Sequence, residues 1–109
     1  MLADTPEPPY YAVLFSSIRM EGDDGYGEMA ARMDALTRVQ PGFLGLEHAR
    51  SPGPDGIGIT LCYWTDLDAI AAWKRNLDHM AAQDAGYARW YAGFRLRVAR
   101  VERASAWDR

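Results

Sequence analysis

Two histidines and a set of aromatic side chains are the residues of this chain whose types could support chemistry. His79 is the candidate catalytic residue, a general base, because imidazole titrates near neutral pH. If a helix continues unbroken from Leu67, His79 lies opposite the apolar stripe that contains Ile70, and it faces away from the core. A break near residues 76–78 would let it turn inward. The sequence leaves both placements of His79 open.

Large aromatic side chains could form the walls of a pocket for a flat aromatic substrate. The phenol of a tyrosine could also orient a substrate hydroxyl or carbonyl, although it could equally satisfy a buried hydrogen bond. Ser17 is a further candidate, because Ser16 and Ser17 interrupt an otherwise apolar segment. The predicted substrate-binding residues are Trp73, Trp64, Tyr63, Ser17, Tyr87 and Trp90.

Metal-binding and nucleophilic motifs are missing from the sequence. His48 lies beside Glu47, but neither an HxxxH nor an HxH pattern is present. Cys62 is the single cysteine, so it forms neither an internal disulfide nor a cysteine-rich zinc site. The chain also lacks the Gly-x-Ser-x-Gly motif of α/β-hydrolases. We therefore predict no metal site and no cofactor.

The composition limits the class of protein. A chain of 109 residues with 49% hydrophobic residues is long enough for one domain and too apolar for a disordered chain. No apolar run approaches the roughly 20 residues of a membrane span. The net charge of -3 argues against nucleic-acid binding, despite the arginines that cluster from Arg89 onward. Residues 1–9 do not resemble a secretory signal, so we expect a cytoplasmic protein.

The hydrophobic pattern predicts six main elements in the order strand, helix, strand, strand, helix, strand. Helices are predicted over residues 25–39 and from Leu67, with a further helical stretch near 79–90. The turn at 51–56 joins the second and third strands as an antiparallel hairpin. The predicted strands are Tyr10–Arg19, Phe43–Arg50, Ile57–Trp64 and residues 91–103. This order is typical of an α+β, ferredoxin-like βαββαβ fold, an antiparallel sheet with helices on one face.

The first strand is apolar on both of its faces, which indicates that both faces of the sheet are covered. The helices would cover only one face of the sheet, and a bare apolar face is unstable in water. We therefore expect a second copy of the chain to cover the other face, giving a homodimer. Residues 10–104 form the predicted domain, with a flexible N-terminal tail at residues 1–9 and a C-terminal tail at residues 105–109.

Several segments resemble one known family. They are QPGFLGLE at residues 40–47, TLCYWTDLDAIAAWK at residues 60–74, His79, and RWY at residues 89–91. With them, the stretch from about residue 10 to residue 101 resembles the antibiotic biosynthesis monooxygenase family of dimeric α/β barrels. The resemblance implies a ferredoxin-like subunit, a homodimer, and a ligand held between each sheet and its helices. It also implies a choice of activities, from cofactor-independent oxygenases of aromatic polyketides and quinones to heme-degrading enzymes.

Three functions follow from this resemblance. The first is a cofactor-independent monooxygenase that acts on a small phenol, quinol or polyketide-type aromatic, with His79 as base. The second is a heme-binding or heme-degrading protein. That branch has an asparagine in its first strand and a histidine ten positions after the helix tryptophan, whereas this chain has serines and Gln83 there. The third is a non-catalytic ligand-binding or stress-related module, which predicts a filled core without a pocket.

Overall fold

Four strands and two helices form the described part of the chain, which comprises residues 1–22, 25–53, 56–83 and 86–109 of a computed structural model. A short 3-10 helix at Tyr87–Arg89 precedes the last strand. The tip of the predicted hairpin turn, residues 54–55, lies outside the described residues. The elements are β1 (Tyr10–Arg19), α1 (Tyr26–Arg38), β2 (Phe43–Arg50), β3 (Ile57–Trp64), α2 (Leu67–Gln83) and β4 (Tyr91–Val101).

The strands form one sheet in the order β2-β3-β1-β4, in which every neighbouring pair is antiparallel. Residues of β1 and β3 that share a face with Val13 and Cys62 pack against both helices. This surface is called the helix-facing side below, and the other surface is called the open side. The ferredoxin-like fold predicted from the sequence is confirmed.

The second helix is longer than the sequence suggested. Asp66 caps its start, because the Asp66 carboxylate accepts a hydrogen bond from the backbone N–H of Ala69 at 2.8 Å. The helix then continues without a break to Gln83, so the separate helical stretch predicted near 79–90 is wrong. Gly86, with a φ of 79°, precedes the 3-10 helix. Neither α1 nor α2 combines the length and the apolar composition that a membrane crossing requires.

The core lies between the helix-facing side of the sheet and α2. Trp64 is fully buried at its centre, with its ring centroid 5.1 Å from that of Trp73 and 5.6 Å from that of Phe43. A second cluster surrounds Met29 and Trp90 near the start of β4. Between these two clusters the helices and the sheet do not close completely, which leaves room for the cavity described below.

The N-terminal segment, residues 1–9, contacts the open side of the sheet. The backbone N–H of Ala3 donates a hydrogen bond to the Glu47 carboxylate at 3.0 Å, and the Thr5 hydroxyl donates to the Tyr10 hydroxyl at 2.9 Å. Tyr63 donates a second bond to the Glu47 carboxylate at 2.7 Å. That residues 1–9 form a flexible tail stays a prediction, and the two contacts identify Glu47 and Tyr10 as residues that this segment meets. Proline-rich sequence alone did not reveal that a carboxylate on β2 could hold it.

Replacing Tyr63 with phenylalanine is expected to lower the free energy of unfolding by about 1 kcal/mol at pH 7. The hydrogen bond from Tyr63, followed by that from Ala3, holds the pKa of Glu47 below its ordinary value. A carboxyl with a lowered pKa stabilises the fold above its unfolded pKa, and this contribution disappears as the pH falls through the folded pKa. The difference between the two proteins should therefore shrink below about pH 4.

Urea denaturation at pH 7 and pH 3 measures this effect. Tyr11→Phe is the matched control, because no hydrogen bond of the Tyr11 hydroxyl is found within the described residues. A loss for Tyr63→Phe that is equal at both pH values would contradict the role of the Glu47 carboxylate.

Candidate functional site

A cavity of about 550 Å³ lies between the helix-facing side of the sheet and the two helices. Its volume is within the range of roughly 300–1,000 Å³ that is usual for small-molecule sites. Its walls are mostly apolar side chains, to which the sheet contributes Phe15, Leu46 and Leu96. This cavity contradicts the filled core that the non-catalytic alternative predicted.

One wall of the cavity is a group of aromatic rings that contact one another. Phe15 lies 5.6 Å from Tyr91 and 5.2 Å from Phe94, measured between ring centroids. Tyr87 packs edge-on against Phe94 at 5.3 Å, and Tyr26 packs edge-on against Tyr91 at 5.8 Å. Such a wall favours a flat aromatic ligand, because rings stack on it or meet it edge to face.

Two phenols of this wall are held in their neutral form. Burial raises the pKa of Tyr87, and its hydrogen bond to the Asp78 carboxylate at 2.5 Å raises it further. Burial also raises the pKa of Tyr91, helped by the neighbouring Tyr26. Both hydroxyls therefore stay protonated near neutral pH and can act as hydrogen-bonding groups, not as bases.

Trp73 joins the two helices across the cavity. Its indole N–H donates to the Thr37 hydroxyl at 2.9 Å, and that hydroxyl donates to the Met33 carbonyl at 2.7 Å. Trp73 and Thr37 are both buried, and both line the cavity. The indole N–H is therefore committed to Thr37, and Trp73 offers a ligand only its apolar ring.

Replacing Thr37 with valine is expected to destabilise the fold by about 1–3 kcal/mol, because it leaves the buried Trp73 N–H without an acceptor while it keeps the shape of the side chain. Chemical denaturation measures this loss. Thr60→Val, at another lining position, is the matched control, since no hydrogen bond of the Thr60 hydroxyl is found within the described ranges. An equal loss in both variants would show that the Trp73–Thr37 bond contributes nothing.

His48 and Arg50 are the polar residues that β2 contributes to the cavity. They alternate with outward-facing residues, so they lie on the same face of the strand, about 7 Å apart along it. Both are exposed, and β2 is an edge strand of the sheet. This edge therefore forms a mouth of the cavity. The Arg50 guanidinium donates to the Ser17 hydroxyl at 3.0 Å and to the Gly56 carbonyl at 3.4 Å.

The structure brings two of the predicted substrate-binding residues, Trp73 and Tyr87, to the cavity. Trp64 lies beneath Trp73 in the core, and Trp90 is buried beside Met29. Both rings are buried in the core, and neither lines the cavity.

Ser17 and Tyr63 also lie outside the cavity lining. Ser17 is 4% exposed and holds Arg50, which itself lines the cavity. Tyr63 is on the open side of the sheet, bonded to Glu47, because alternate residues of a strand point to opposite faces. Of the two, Ser17 is the one that contacts a lining residue.

His79 is not brought to the cavity. It is exposed on α2, with its ring Nε2 3.3 Å from the Gln83 amide one helical turn away. The physical reason is the unbroken helix, which carries His79 to the face opposite Ile70 and Trp73. Of the two placements that the sequence left open, the structure has the one in which His79 faces away from the cavity.

The sequence interpretation missed His48 and Arg50 as site residues. Their signal was the alternation of β2, in which Leu46, His48 and Arg50 share one face. The apolar Leu46 indicates that this face turns toward the helices. His48 was considered only as a metal ligand, so its position on that face was not used.

The sequence of this chain matches a known protein family. The model of the family described as "Antibiotic biosynthesis monooxygenase" matches residues 9–85. The chain belongs to this family. It is 52% identical over 102 residues to a Bacillus subtilis (strain 168) protein named "Uncharacterized protein YqjZ", covering 94% of this chain and 88% of that one.

Solved structures of other proteins share the fold of this family member. SnoaB, a cofactor-independent oxygenase from Streptomyces nogalater, superposes with a TM-score of 0.68 at 18% identity, covering 89% of this chain and 97% of SnoaB. The protein PA3566 from Pseudomonas aeruginosa superposes with a TM-score of 0.66 at 12% identity, covering 92% and 99% of the two chains. At these identities the similarity establishes the fold alone.

Proposed function

We propose that the protein is a cofactor-independent monooxygenase whose substrate, a small phenolic or quinol-type aromatic, binds in the cavity between sheet and helices. The observation that carries the proposal is the aromatic-walled cavity of about 550 Å³ with His48 at its mouth. Membership of the monooxygenase family supports it, as does the similarity of fold to SnoaB, a cofactor-independent oxygenase.

His48 is the proposed base, in place of the exposed His79. In the first step its imidazole accepts the proton of the substrate hydroxyl, which leaves an electron-rich phenolate. The ring carbon of this anion reduces O₂ and forms a carbon–oxygen bond, which gives a hydroperoxide once a proton is returned. Loss of water then gives a quinone, so that one phenol and one O₂ yield one quinone and one H₂O. The substrate supplies all the electrons; one oxygen atom of O₂ enters the quinone and the other leaves as water.

The walls of the cavity suit this chemistry. The rings of Phe15, Phe94 and Trp73 exclude water from the bound ring, which strengthens the electrostatic interactions of the phenolate. Tyr87 already donates its single hydroxyl proton to the Asp78 carboxylate, so it presents its ring, and not a hydrogen bond, to the substrate. Trp73 and Tyr87 are thus proposed to contact the substrate, and Ser17 to act through Arg50.

Oxygen uptake with a panel of naphthols, naphthalenediols and hydroxynaphthoates tests the proposal. We expect a member of the panel to consume O₂ at a rate proportional to enzyme concentration, without added metal, flavin or nicotinamide. For 1-naphthol the product is 1,4-naphthoquinone, and ¹⁸O₂ should label its new oxygen. If no panel member is oxidised above the rate of a heat-denatured sample, the proposal is wrong.

A homodimer is proposed because β1 and β3 carry an exposed apolar patch at the centre of the open side of the sheet. Ile57 and Ile59 are 45% and 40% exposed there, beside Leu14 and Leu61. Apolar sheet faces are normally covered. A second copy of the chain would cover this one, with its helices outside.

Replacing Ile59 with glutamate is expected to convert the dimer into a monomer, because it places a charge at the centre of this face. Sedimentation velocity measures the change. Val39→Glu is the matched control, since Val39 is 76% exposed at the end of α1, away from the sheet face. A native protein that sediments as a monomer would refute the dimer.

A further inference from the structure

Arg50 differs in its partners from the other charged residues that line the cavity. The Asp34 carboxylate pairs with Arg38 at 2.9 Å, and the Lys74 ammonium pairs with Asp78 at 2.6 Å. Within the described residues, the hydrogen bonds of the Arg50 side chain go to a hydroxyl and a backbone carbonyl. Among residues 1–22, 25–53, 56–83 and 86–109, no carboxylate lies within ion-pair distance of its guanidinium. The cavity therefore carries a positive charge that these parts of the chain do not neutralise.

The side chain of Arg50 is held in place by residues that lie side by side on three neighbouring strands. Arg50 of β2 is paired with Gly58 of β3, and Gly58 is paired with Ser17 of β1. The guanidinium passes over Gly58 to reach the Ser17 hydroxyl, and it occupies the space that a side chain at Gly58 would need. Gly58 thus has a specific role: any Cβ at this position would clash with the guanidinium.

Aromatic rings lie next to this charge. Phe94 is paired with Ser17 on the neighbouring strand, and Phe15 lies one position further along the same face of β1. The charge of Arg50 also reaches the phenol of Tyr91, where it opposes the rise in the pKa of that group. Aromatic rings and a guanidinium that no described carboxylate neutralises therefore lie side by side in one cavity.

We propose that the substrate of this cavity is an aromatic carboxylic acid, whose carboxylate binds Arg50 while its ring packs on Phe15 and Phe94. The inference rests on the proposed function, because it takes the cavity to be the substrate site. The guanidinium has more N–H donors than its two present bonds use, and its planar fork matches a carboxylate. Ser17 and Gly58 are positioning residues, since they act by holding Arg50 in place.

Isothermal titration calorimetry with 2-naphthoate and 2-naphthamide tests this proposal. The two probes share one ring system and differ in the charge of one group. We expect the native protein to bind 2-naphthoate at least about tenfold more tightly than 2-naphthamide, as a charge-assisted hydrogen-bonded pair typically provides. In Arg50→Gln this preference should disappear. The affinity for 2-naphthoate should fall, and the affinity for 2-naphthamide should stay the same.

Three further variants test whether the preference depends on where the charge lies as well as on its presence. Gly58→Ala keeps Arg50 but displaces its guanidinium, so we expect it to lose most of the preference for 2-naphthoate. Arg75→Gln removes a charge from an exposed position of α2 outside the cavity lining and should keep the full preference. Arg50→Lys should retain part of the preference for 2-naphthoate, because lysine keeps the positive charge but lacks the planar guanidinium.

The outcomes distinguish this inference from the proposed function. If the native protein binds both probes equally, or Arg50→Gln keeps the preference, the inference is wrong while the aromatic cavity stands. If neither probe binds, both the inference and the proposal that the cavity takes aromatic substrates are wrong. If Gly58→Ala behaves as the native protein does, the positioning role of Gly58 is refuted.

Discussion

Replacing Trp64 with alanine is expected to lower the free energy of unfolding by about 3–5 kcal/mol, the usual cost of removing a large aromatic from a core. Trp64 is fully buried, and its ring packs against those of Trp73 and Phe43. Its indole N–H also contacts the Cys62 sulfur at 3.2 Å. The rings around it belong to a strand end and a helix, so they cannot easily collapse into the space left behind.

Guanidinium chloride denaturation at a fixed protein concentration measures this loss, since the stability of a dimer depends on concentration. Trp107→Ala is the matched control: Trp107 is 77% exposed near the C-terminus, and its removal should change the free energy by less than about 0.5 kcal/mol. A loss below about 1 kcal/mol for Trp64→Ala would contradict the packing described for the core.

Replacing His48 with glutamine is expected to reduce turnover by about 100-fold or more, because general base catalysis typically contributes that much. Glutamine keeps the polarity and approximate size of the side chain but cannot accept the substrate proton. The measurement is the initial rate of oxygen uptake with the best substrate of the hydroxyarene panel. The rate of the variant should rise with pH as the free phenol ionises in solution, because the substrate then no longer needs a base.

His79→Gln is the matched control for this experiment. His79 is exposed on α2 and does not line the cavity, so its replacement should change the rate by less than about twofold. If His79→Gln loses the activity and His48→Gln keeps it, the assignment of the base to β2 is wrong. If both variants are fully active, neither histidine is the base and the proton must leave by another route.

Most of the fold could be predicted from local features of the sequence. Alternation in Tyr10–Arg19 predicted a strand with two apolar faces, and the helical spacing of apolar residues from Leu67 predicted α2. These features could be predicted because each depends on residues that are close together in the sequence. The end of α2 was predicted wrongly because the sequence before Gly86 has no strong local signal that ends a helix. In the structure the helix continues to Gln83.

Much of the candidate site could not be read in this way. Trp64, Trp73 and Trp90 are of the same type, yet only Trp73 lines the cavity, because the outcome depends on which element packs above each ring. Likewise His79 and His48 are chemically alike. The phase of an unbroken helix turns His79 outward, whereas the alternation of an edge strand turns His48 toward the helices.

Residue types and their spacing were enough to establish the element order, the ferredoxin-like class and the resemblance to the monooxygenase family. Contacts between distant residues needed the folded chain. Ser17, Arg50 and Gly58 stand in one row across three strands although the first is more than thirty residues from the others. Strand register alone brings them together, since it is set by the packing of the whole sheet against its helices. The charge at the mouth of the cavity is therefore a property of the tertiary structure.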